Sequence, residues 1–293
     1  MNLKQSFIGK GAMTALLLAG GLVGGAPAQA AVVLSINDFT GACGTTLTCV
    51  GDTAVAGTAL RVAPASTGQA GAGYSTTAIT LGVGATFSTT FQFQFTKVGG
   101  IDPADGITFV LSQGSAGLGG AGGGLGYVGV PNSVAIEFDT FNNGGADLSS
   151  NHVAIDVNGL LTNTASANPY GVATCDFSSG FTQTGCMSNG DIWSVTIGYD
   201  GSLLSVSVQD AANPAQAIIS NFPIDIALLL GTNSAFVGFT SATGSGFENH
   251  DILNWRLAND ISLSPPGNNV PEPSSIALLG IGLLGLMRIR RKS

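Results

Sequence analysis

Two acidic residues within one short apolar stretch are the first sign of chemistry in this sequence. Residues 134–141 read VAIEFDTF, in which side chains alternate with the period of a β-strand. Glu137 and Asp139 then point to the same face, about 6–7 Å apart at Cα. Two carboxylates on an apolar strand are costly to bury without a positive partner. A bound cation is therefore expected at this strand.

A polar loop and a second alternating run follow the acidic strand. The loop contains Asn143 and Asp147, and the second run, HVAIDVN, begins at His152. A hairpin between the two runs would bring the loop residues and His152 close to Glu137 and Asp139. Oxygen ligands from Asp139, Asn143 and Asp147 suit Ca²⁺, and a mixed oxygen and imidazole set suits a transition metal. Two adjacent ions sharing Asp139 and Asp147 would fit; the alternative is a loop of solvated Asp and Asn turn residues.

These segments resemble the metal loop of the L-type (legume-type) lectins. The matching pattern is E-F-D-T-F-x-N, then an Asp, then N-H-x-x-I-D-V-N-G. The resemblance implies an all-β, concanavalin-like jelly-roll β-sandwich. It implies a Mn²⁺-type site, for Mn²⁺ or another transition metal, with the ligands Glu137, Asp139, Asp147 and His152. It also implies a Ca²⁺ site formed by Asp139, the Phe141 carbonyl, Asn143 and Asp147.

The same resemblance implies a carbohydrate site built from three further segments. In L-type lectins an Asp that follows an unusual cis peptide binds sugar hydroxyls, and Ala104-Asp105 in an ADG turn is the candidate. Without the rest of the pattern, the favoured interpretation of Asp105 would be a turn residue. In the glycine-dense run 114–129, a backbone N–H at Gly123 or Gly124 would approach the sugar, because a Cβ there would block it. The S-A-T-G loop before H-D-I-L-N-W places three more residues at the sugar: Gly244, Ser245 and Gly246.

The rest of the region between residues 31 and 260 reads as short strands separated by Gly, Asn, Ser and Thr, which is typical of a sandwich or jelly roll. Residues 86–96 form a strand with one apolar face, which carries Phe91, Phe93 and Phe95. Trp193 is expected in the core. His250 and Asp251 are expected as strand-end groups that hydrogen bond the backbone.

Composition and charge exclude some classes of partner. The 293-residue chain contains 44 glycines, and only 9% of its residues are charged. Between its two ends, Arg61, Lys97 and Arg256 face 16 of the 17 acidic residues, a balance of −13. Nucleic acid is an implausible partner, because phosphate binding needs a basic surface. Neutral glycans and cations remain as ligand classes.

The N-terminus reads as a secretory signal peptide. Lys4 and Lys10 precede an apolar run centred on residues 15–23 and the small-residue sequence AQA. We expect a signal peptide at residues 1–30, with a retained anchor as the alternative. Export permits disulfides, and four cysteines allow three pairings. Short loops are easier to close, so we expect the pairs Cys43 with Cys49 and Cys175 with Cys186; a free pair is the alternative.

The C-terminus carries a 12-residue apolar run at 276–287, shorter than the ~20 residues of a comfortable membrane span. VPEP at 270–273 precedes this hydrophobic helix and a basic end follows, an order that resembles the PEP-CTERM sorting signal. Positive charge held inside would leave the domain outside the inner membrane. The resemblance implies a Gram-negative exporter and an exosortase that removes the tail. We expect a linker at 261–269 and a sorting segment at 270–293; a simple tail anchor is the alternative.

Together these features predict an exported, metal-dependent lectin without enzyme activity, at a bacterial surface or in an extracellular matrix. Its partners would be a glycan or exopolysaccharide, the exosortase and, transiently, the inner membrane, and a homo-oligomer would add avidity. One alternative is a structural or adhesion module that has lost sugar binding. The other is a sandwich-fold glycoside hydrolase, whose carboxylates also alternate along one strand. Against the hydrolase, the third acid is missing, and Asp147 and His152 point to metal ligation.

Overall fold

The computed structural model describes residues 32–114, 117–145 and 147–263. They form an all-β sandwich of two antiparallel sheets, as predicted. The expected signal peptide and C-terminal hydrophobic helix lie outside the described residues. Within them, no helix has the length and apolar composition that a bilayer crossing requires.

The first sheet has eight strands. Seven of them form one continuous hydrogen-bonded row, and the eighth pairs with a strand of that row. In spatial order the seven are β14 (Gln216–Pro223), β13 (Leu203–Gln209), β12 (Ile192–Tyr199), β7 (Phe87–Gly100), β16 (Gly246–Ala258), β4 (Ala59–Ala63) and β3 (Ala54–Ala56). The eighth, β1 (Val32–Ile36), also pairs with β16. The first and last described strands are therefore neighbours.

The second sheet has the same plan and carries the acidic hairpin. In spatial order its strands are β11 (Ser166–Ala167), β10 (His152–Val157), β9 (Ser133–Asp139), β8 (Gly106–Ser112), β15 (Ser234–Ala242), β5 (Ala70–Ser75) and β2 (Leu47–Gly51). A two-residue strand, β6 (Ile79–Thr80), pairs with the start of β15. Within residues 32–263 as described, helical structure is limited to α1 (Ile226–Leu230) and to 3₁₀ turns at Val83–Ala85, Gly122–Gly124 and Pro169–Gly171.

The core lies between the sheets and follows the predicted alternation. On β7, Phe91 and Phe93 are fully buried and both pack against Phe138 of β9, with ring centroids 5.7 and 5.5 Å apart. Trp193 is buried and stacks on Phe93, so its predicted place in the core is confirmed. Each large apolar side chain buried in this way contributes about 1.5–3 kcal/mol. This core fixes the position of β9, which carries Glu137 and Asp139, against β7.

The glycine-dense run covers the outer face of the second sheet. Tyr127 is buried there with Val130, Ala135 of β9 and Val110 of β8, in an apolar cluster separate from the main core. The Tyr127 hydroxyl hydrogen bonds the Ser133 hydroxyl at 2.9 Å. This loop is therefore a packed layer over β8 and β9, which brings its glycines to the edge of the acidic hairpin.

Two details of the fold bear on the sequence predictions. Both disulfides have the short-range pairing, Cys43 with Cys49 and Cys175 with Cys186. His250 and Asp251, which we expected to hydrogen bond the backbone, instead contact side chains. His250 Nδ1 lies 2.9 Å from the Ser241 hydroxyl, and Asp251 accepts two hydrogen bonds from Arg61. Arg61 lies 190 residues from Asp251, and Ser241 lies on β15, the preceding strand along the chain, so the arrangement of strands decides both contacts.

Candidate functional site

The register of the β9–β10 hairpin brings three predicted ligands together. His152 lies opposite Asp139, and Ala154 lies opposite Glu137. Because side chains alternate along each strand, all three face away from the main core. One ligand atom each from Glu137, Asp139 and His152 lies within 4.8 Å of the other two. None of the three is more than 1% exposed.

The hydrogen bonds of His152 define which ring nitrogen faces the carboxylates. Nδ1 lies 2.8 Å from the Ser149 carbonyl, which can only accept, so Nδ1 carries a proton. Nε2 lies 3.0 Å from Glu137 Oε1. Two acceptors at this distance need a proton or a cation between them. A histidine whose second nitrogen donates to a carbonyl is the usual arrangement of a metal ligand.

The carboxylates of this group lack compensation from basic side chains. Burial, then the charges of Glu137 and Asp147, raise the pKa of Asp139 well above its usual value. Glu137 Oε2 is buried without a hydrogen-bond partner. Among the described residues, the ion pairs join no lysine or arginine to the group. The residues present therefore fit a bound cation, which would neutralise the carboxylates and take up the unpaired oxygen.

The loop after β9 holds the remaining predicted ligands. The Phe141 N–H donates to Asp139 Oδ1 at 2.8 Å, and the Asn143 N–H donates to Asp147 Oδ2 at 2.6 Å. Asp147 interacts electrostatically with Glu137 and His152. It does not belong to the close three-residue group. The loop thus places Asp147 beside that group, and its own backbone N–H groups at Phe141 and Asn143 hold Asp139 and Asp147 in place.

Asp105 lies on the neighbouring strand connection, where the predicted cis peptide is present between Ala104 and Asp105. The Asp105 carbonyl accepts from the Thr140 N–H at 2.9 Å, which ties this turn to the end of β9. The side chain is 2% exposed, and its Oδ2 has no hydrogen-bond partner. Burial raises the pKa of Asp105 to about 7, opposed by the Gly244 N–H and assisted by Glu248 and Asp147.

Glycines from two other loops lie against Asn143 and Asp105, and these four residues together define the candidate pocket. A Cβ on Gly123 would lie 2.5 Å from Cγ and Oδ1 of Asn143, so the Gly123 backbone lies directly against that amide. A Cβ on Gly124 would instead meet only the Val128 side chain, at 3.6 Å. A Cβ on Gly244 would lie 3.3 Å from Asp105 Oδ2. Of the two candidate glycines in the dense run, Gly123 is therefore the one that faces the pocket.

Ser245 and Gly246 support the conformation of the loop that carries Gly244. The Ser245 carbonyl accepts from the Ile101 N–H at 3.3 Å, and the Gly246 carbonyl accepts from the Gly244 N–H at 3.1 Å. A Cβ on Gly246 would collide with the Asp102 carbonyl. These contacts hold Gly244 at Asp105. We assign Ser245 and Gly246 no direct contact with the pocket from this geometry.

The chain's overall similarity to known proteins agrees with this geometry. A family model described as Legume lectin domain matches residues 32–273. The chain belongs to the legume lectin domain family. A second model, described as PEP-CTERM protein-sorting motif, matches residues 269–292.

Relatives of this legume lectin domain include plant proteins of two kinds. The lectin alpha chain of Lablab purpureus is 31% identical over 196 residues, which make up 63% of this chain and 63% of that protein. The L-type lectin-domain containing receptor kinase VIII.1 of Arabidopsis thaliana is 31% identical over 204 residues, 64% of this chain but 27% of the kinase. The chain thus spans less than two thirds of either relative.

Solved structures share the fold of this legume lectin domain. Lectin I-B4 from Griffonia simplicifolia, in its metal-free form, has a TM-score of 0.63 at 23% identity, covering 76% of this chain and 97% of that one. The lectin from Bauhinia forficata in complex with GalNAc has a TM-score of 0.62 at 20% identity, covering 77% and 96%.

Two buried acids of this legume lectin domain were not singled out from the sequence. Asp156 accepts the N–H groups of Thr162 and Asn163, and burial followed by the charge of Glu137 raises its pKa to about 9. The sequence does indicate Asp156, because it lies four residues after His152 on the same strand and therefore on the same face. Glu248 of β16 accepts from the hydroxyls of Thr140 and Ser188 beneath Asp105. No periodicity marks Glu248, since its partners come from other segments.

Proposed function

We propose that this protein is an exported, metal-dependent lectin that binds neutral carbohydrate through Asp105, Asn143, Gly123 and Gly244. The observation that carries the proposal is the convergence of these residues at the edge of the Glu137, Asp139 and His152 group. Membership of the legume lectin family supports it, as does the GalNAc complex of a protein with the same fold. No enzyme activity is proposed.

The proposed cations are Ca²⁺ and Mn²⁺ or another transition metal. Glu137, Asp139, Asp147 and His152 would hold the transition metal, and Asp139, the Phe141 carbonyl, Asn143 and Asp147 would hold Ca²⁺. When bound, the ions supply positive charge to the buried carboxylates and fix the conformation of the loop. Asn143 links the two functions, because one atom of its amide would ligate Ca²⁺ while the other faces the pocket.

In this proposal the protein binds sugar hydroxyls with a small set of oriented groups. Asp105 accepts from two hydroxyls, with the unpaired Oδ2 available for one of them. The Asn143 amide and the Gly123 N–H donate. Such a pocket has few contacts, so affinity for a monosaccharide should be weak, on the order of mM. Several copies on a surface, or a homo-oligomer, would raise the avidity.

The sorting motif at residues 269–292 supports export and a surface or extracellular location. We propose a signal peptide at residues 1–30, a lectin domain at 31–260, a linker at 261–269 and a sorting segment at 270–293. An exosortase would remove this segment after transient anchoring in the inner membrane of a Gram-negative cell. The glycan partner would be a neutral sugar or an exopolysaccharide.

A glycan array with and without Ca²⁺ and Mn²⁺ tests the proposed function. We expect binding with both ions, loss of binding in EDTA and a lower melting temperature in EDTA, because the carboxylates lose their counter-charge. An unchanged array signal after chelation would show that binding does not depend on metal. An empty array with both ions present would favour a structural or adhesion module, and turnover of a β-glucan would favour a hydrolase.

A further inference from the structure

The three most exposed large apolar side chains of the described residues lie at one end of the sandwich. Val83, in a 3₁₀ turn, is 92% exposed, Leu228 of α1 is 76% exposed, and Ile261, which follows β16, is 64% exposed. Apolar side chains exposed together mark a contact with a protein or a membrane. We call these three side chains the apolar tips.

Contacts between the three segments show that the apolar tips belong to one surface. α1 packs against the 3₁₀ turn. A Cβ on Gly82 would lie 2.5 Å from the Asn259 carbonyl oxygen, so this turn also lies against the segment that follows β16. A Cβ on Gly84 would lie 3.5 Å from Gly201 Cα, in the turn between β12 and β13. The tips therefore stand on adjoining loops.

This surface lies at the opposite end of the sandwich from the proposed sugar pocket. Phe87, where β7 begins, pairs with Tyr199, where β12 ends, beside the 3₁₀ turn. Gly100, at the other end of β7, pairs with Gly246 in the loop region of the pocket. A partner bound to the apolar tips would thus leave the sugar pocket free.

The apolar tips project from the fold and are not the walls of a groove. On α1, Ile226 and Leu230 are buried in the core, and Leu228 is the exposed position of that turn. In the 3₁₀ turn, Ala85 is buried and Val83 is exposed. A rigid protein partner needs a complementary shape, whereas projecting apolar side chains can enter the boundary between lipid headgroups and acyl chains directly. The shape favours a lipid surface.

The charged groups beside the apolar tips favour a lipid surface without net charge. Asp200, Asp225 and Asp260 lie in the same loops. Hydrogen bonds from backbone N–H groups of its own turn lower the pKa of Asp200, so this carboxylate stays ionised at neutral pH. The described basic residue nearest to these loops in sequence is Arg256 of β16. Three carboxylates would repel anionic headgroups, so zwitterionic lipid fits better.

The chain continues from this same end toward its apolar run. The described residues end at Leu263, directly beyond Ile261 in the sequence. Residues 264–275 can span up to about 40 Å, so the run at 276–287 can reach any bilayer that touches the tips. The run has 12 residues, fewer than the ~20 of a comfortable span. A weak anchor becomes stable when a second membrane contact is added.

We propose that the apolar tips form a membrane-contacting face, which enters the headgroup layer of a zwitterionic lipid surface while the run at 276–287 is inserted in the same bilayer. This inference rests on the transient anchoring in the proposed function and goes beyond it, because it gives the anchored domain a defined orientation. The proposed sugar pocket would remain accessible in the docked state.

Tryptophan reporters in the full chain test this face. The chain would be bound to phosphatidylcholine vesicles whose acyl chains carry bromine, which quenches tryptophan on contact. The emission of Leu228→Trp should shift to the blue and fall at least about twofold, because the ring enters the interface. Ile192→Trp is the matched control, since Ile192 is also exposed but begins β12 at the opposite end. Trp193 and Trp255 are buried, and wild-type protein gives their background.

Val83→Trp, on a different loop, is a second reporter and should be quenched like Leu228→Trp. Quenching no greater in these two variants than in Ile192→Trp, with the chain bound to the vesicles, would overturn the face and leave the anchoring intact. A reporter that is already blue-shifted without vesicles, and not quenched by them, would show that a second copy or the chain's own apolar run covers the tips, which also overturns the proposal.

Failure of the chain to co-sediment with the vesicles would overturn the transient anchoring of the proposed function together with this face. Sugar binding is tested independently by the glycan array. The two parts of the proposed function can therefore fail separately.

Discussion

At the scale of single residues, the pocket depends on an unpaired carboxylate oxygen held beside an amide. We expect Asp105→Ala to lower glycan affinity at least about tenfold, because hydrogen bonds to a charged acceptor are each worth about 1.5–3 kcal/mol. Metal content, measured by mass spectrometry, should stay intact, since Asp105 is not a proposed ligand. Asp38→Ala, at an exposed turn, is the control. Retained glycan binding in Asp105→Ala would mean that the pocket lies elsewhere.

A glycine pair offers a sharper test at the same scale. Gly123→Ala would place a Cβ 2.5 Å from the Asn143 amide and force that side chain to move. We expect glycan affinity to fall by about tenfold or more, with the stability of the metal-free protein nearly unchanged, because the displaced amide is the end of a side chain. Gly124→Ala, whose Cβ meets Val128 at 3.6 Å, should bind like wild type. Equal affinities for the two variants would contradict the placement of Gly123.

The limits of sequence reasoning are visible in these same residues. Alternation along β9 and β10 sufficed to place Glu137, Asp139 and His152 on one face, because strand geometry has a fixed period. Choosing between Gly123 and Gly124 needed the path of the loop, which depends on packing around Tyr127 rather than on local propensity. Glu248 reaches the site only through contacts with Thr140 and Ser188, more than 50 residues away. Long-range partners of this kind leave no pattern in one sequence.

At the scale of elements, the site depends on how the disulfide loop and the β9–β10 hairpin are fastened together. Cys175→Ser with Cys186→Ser opens a loop of sequence separation 11. The loop-entropy model gives about 3 kcal/mol for the loss. We expect a lower free energy of unfolding in urea and weaker glycan binding, because Asn151 then fastens the β9–β10 hairpin to a looser loop.

The pair Cys43→Ser with Cys49→Ser is the matched control, since it opens a loop of separation 6 in another part of the fold. It should lower stability by a similar amount, about 2 kcal/mol, without changing glycan affinity. A loss of glycan affinity in both double variants would indicate a general effect of destabilisation. Stability unchanged in either would mean that the bond contributes little.

At the scale of the whole molecule, the buried acids should set the pH dependence of the metal-free protein. The folded-state pKa values of Asp105 and Asp156, about 7 and about 9, lie above the ordinary Asp value of 3.8. The folded state therefore holds more protons than the unfolded state in this range, and stability falls as the pH rises. We expect the free energy of unfolding in EDTA to fall by at least about 1.4 kcal/mol between pH 5 and pH 8.

Urea unfolding of the EDTA-treated protein across this pH range provides the measurement. With Ca²⁺ and Mn²⁺ the decline should become shallower or reverse, because the ions bind the deprotonated ligands. A metal-free protein that grows more stable from pH 5 to pH 8 would contradict the buried positions of these carboxyls.

The sandwich architecture could largely be predicted from the sequence. Phe91, Phe93 and Phe95 of β7 define a buried face, and the turn residues between the runs separate the strands. The order of strands across each sheet could not be predicted from the sequence, because β7 pairs with β16 and β12, which lie far along the chain. Such pairings are decided by the fit of the whole core.

The direction of β16 determines how this protein would be presented to its surroundings. The strand begins at Gly246, beside the proposed sugar pocket, and ends at Ala258, next to Val32 of β1. Thirteen residues at about 3.3 Å each separate these points by roughly 40 Å along the strand. Leu263, the last described residue, donates its N–H to the Ser88 hydroxyl, so the described chain ends at the far end of β16 from the proposed binding loops, and whatever follows it leaves those loops uncovered at this point of exit.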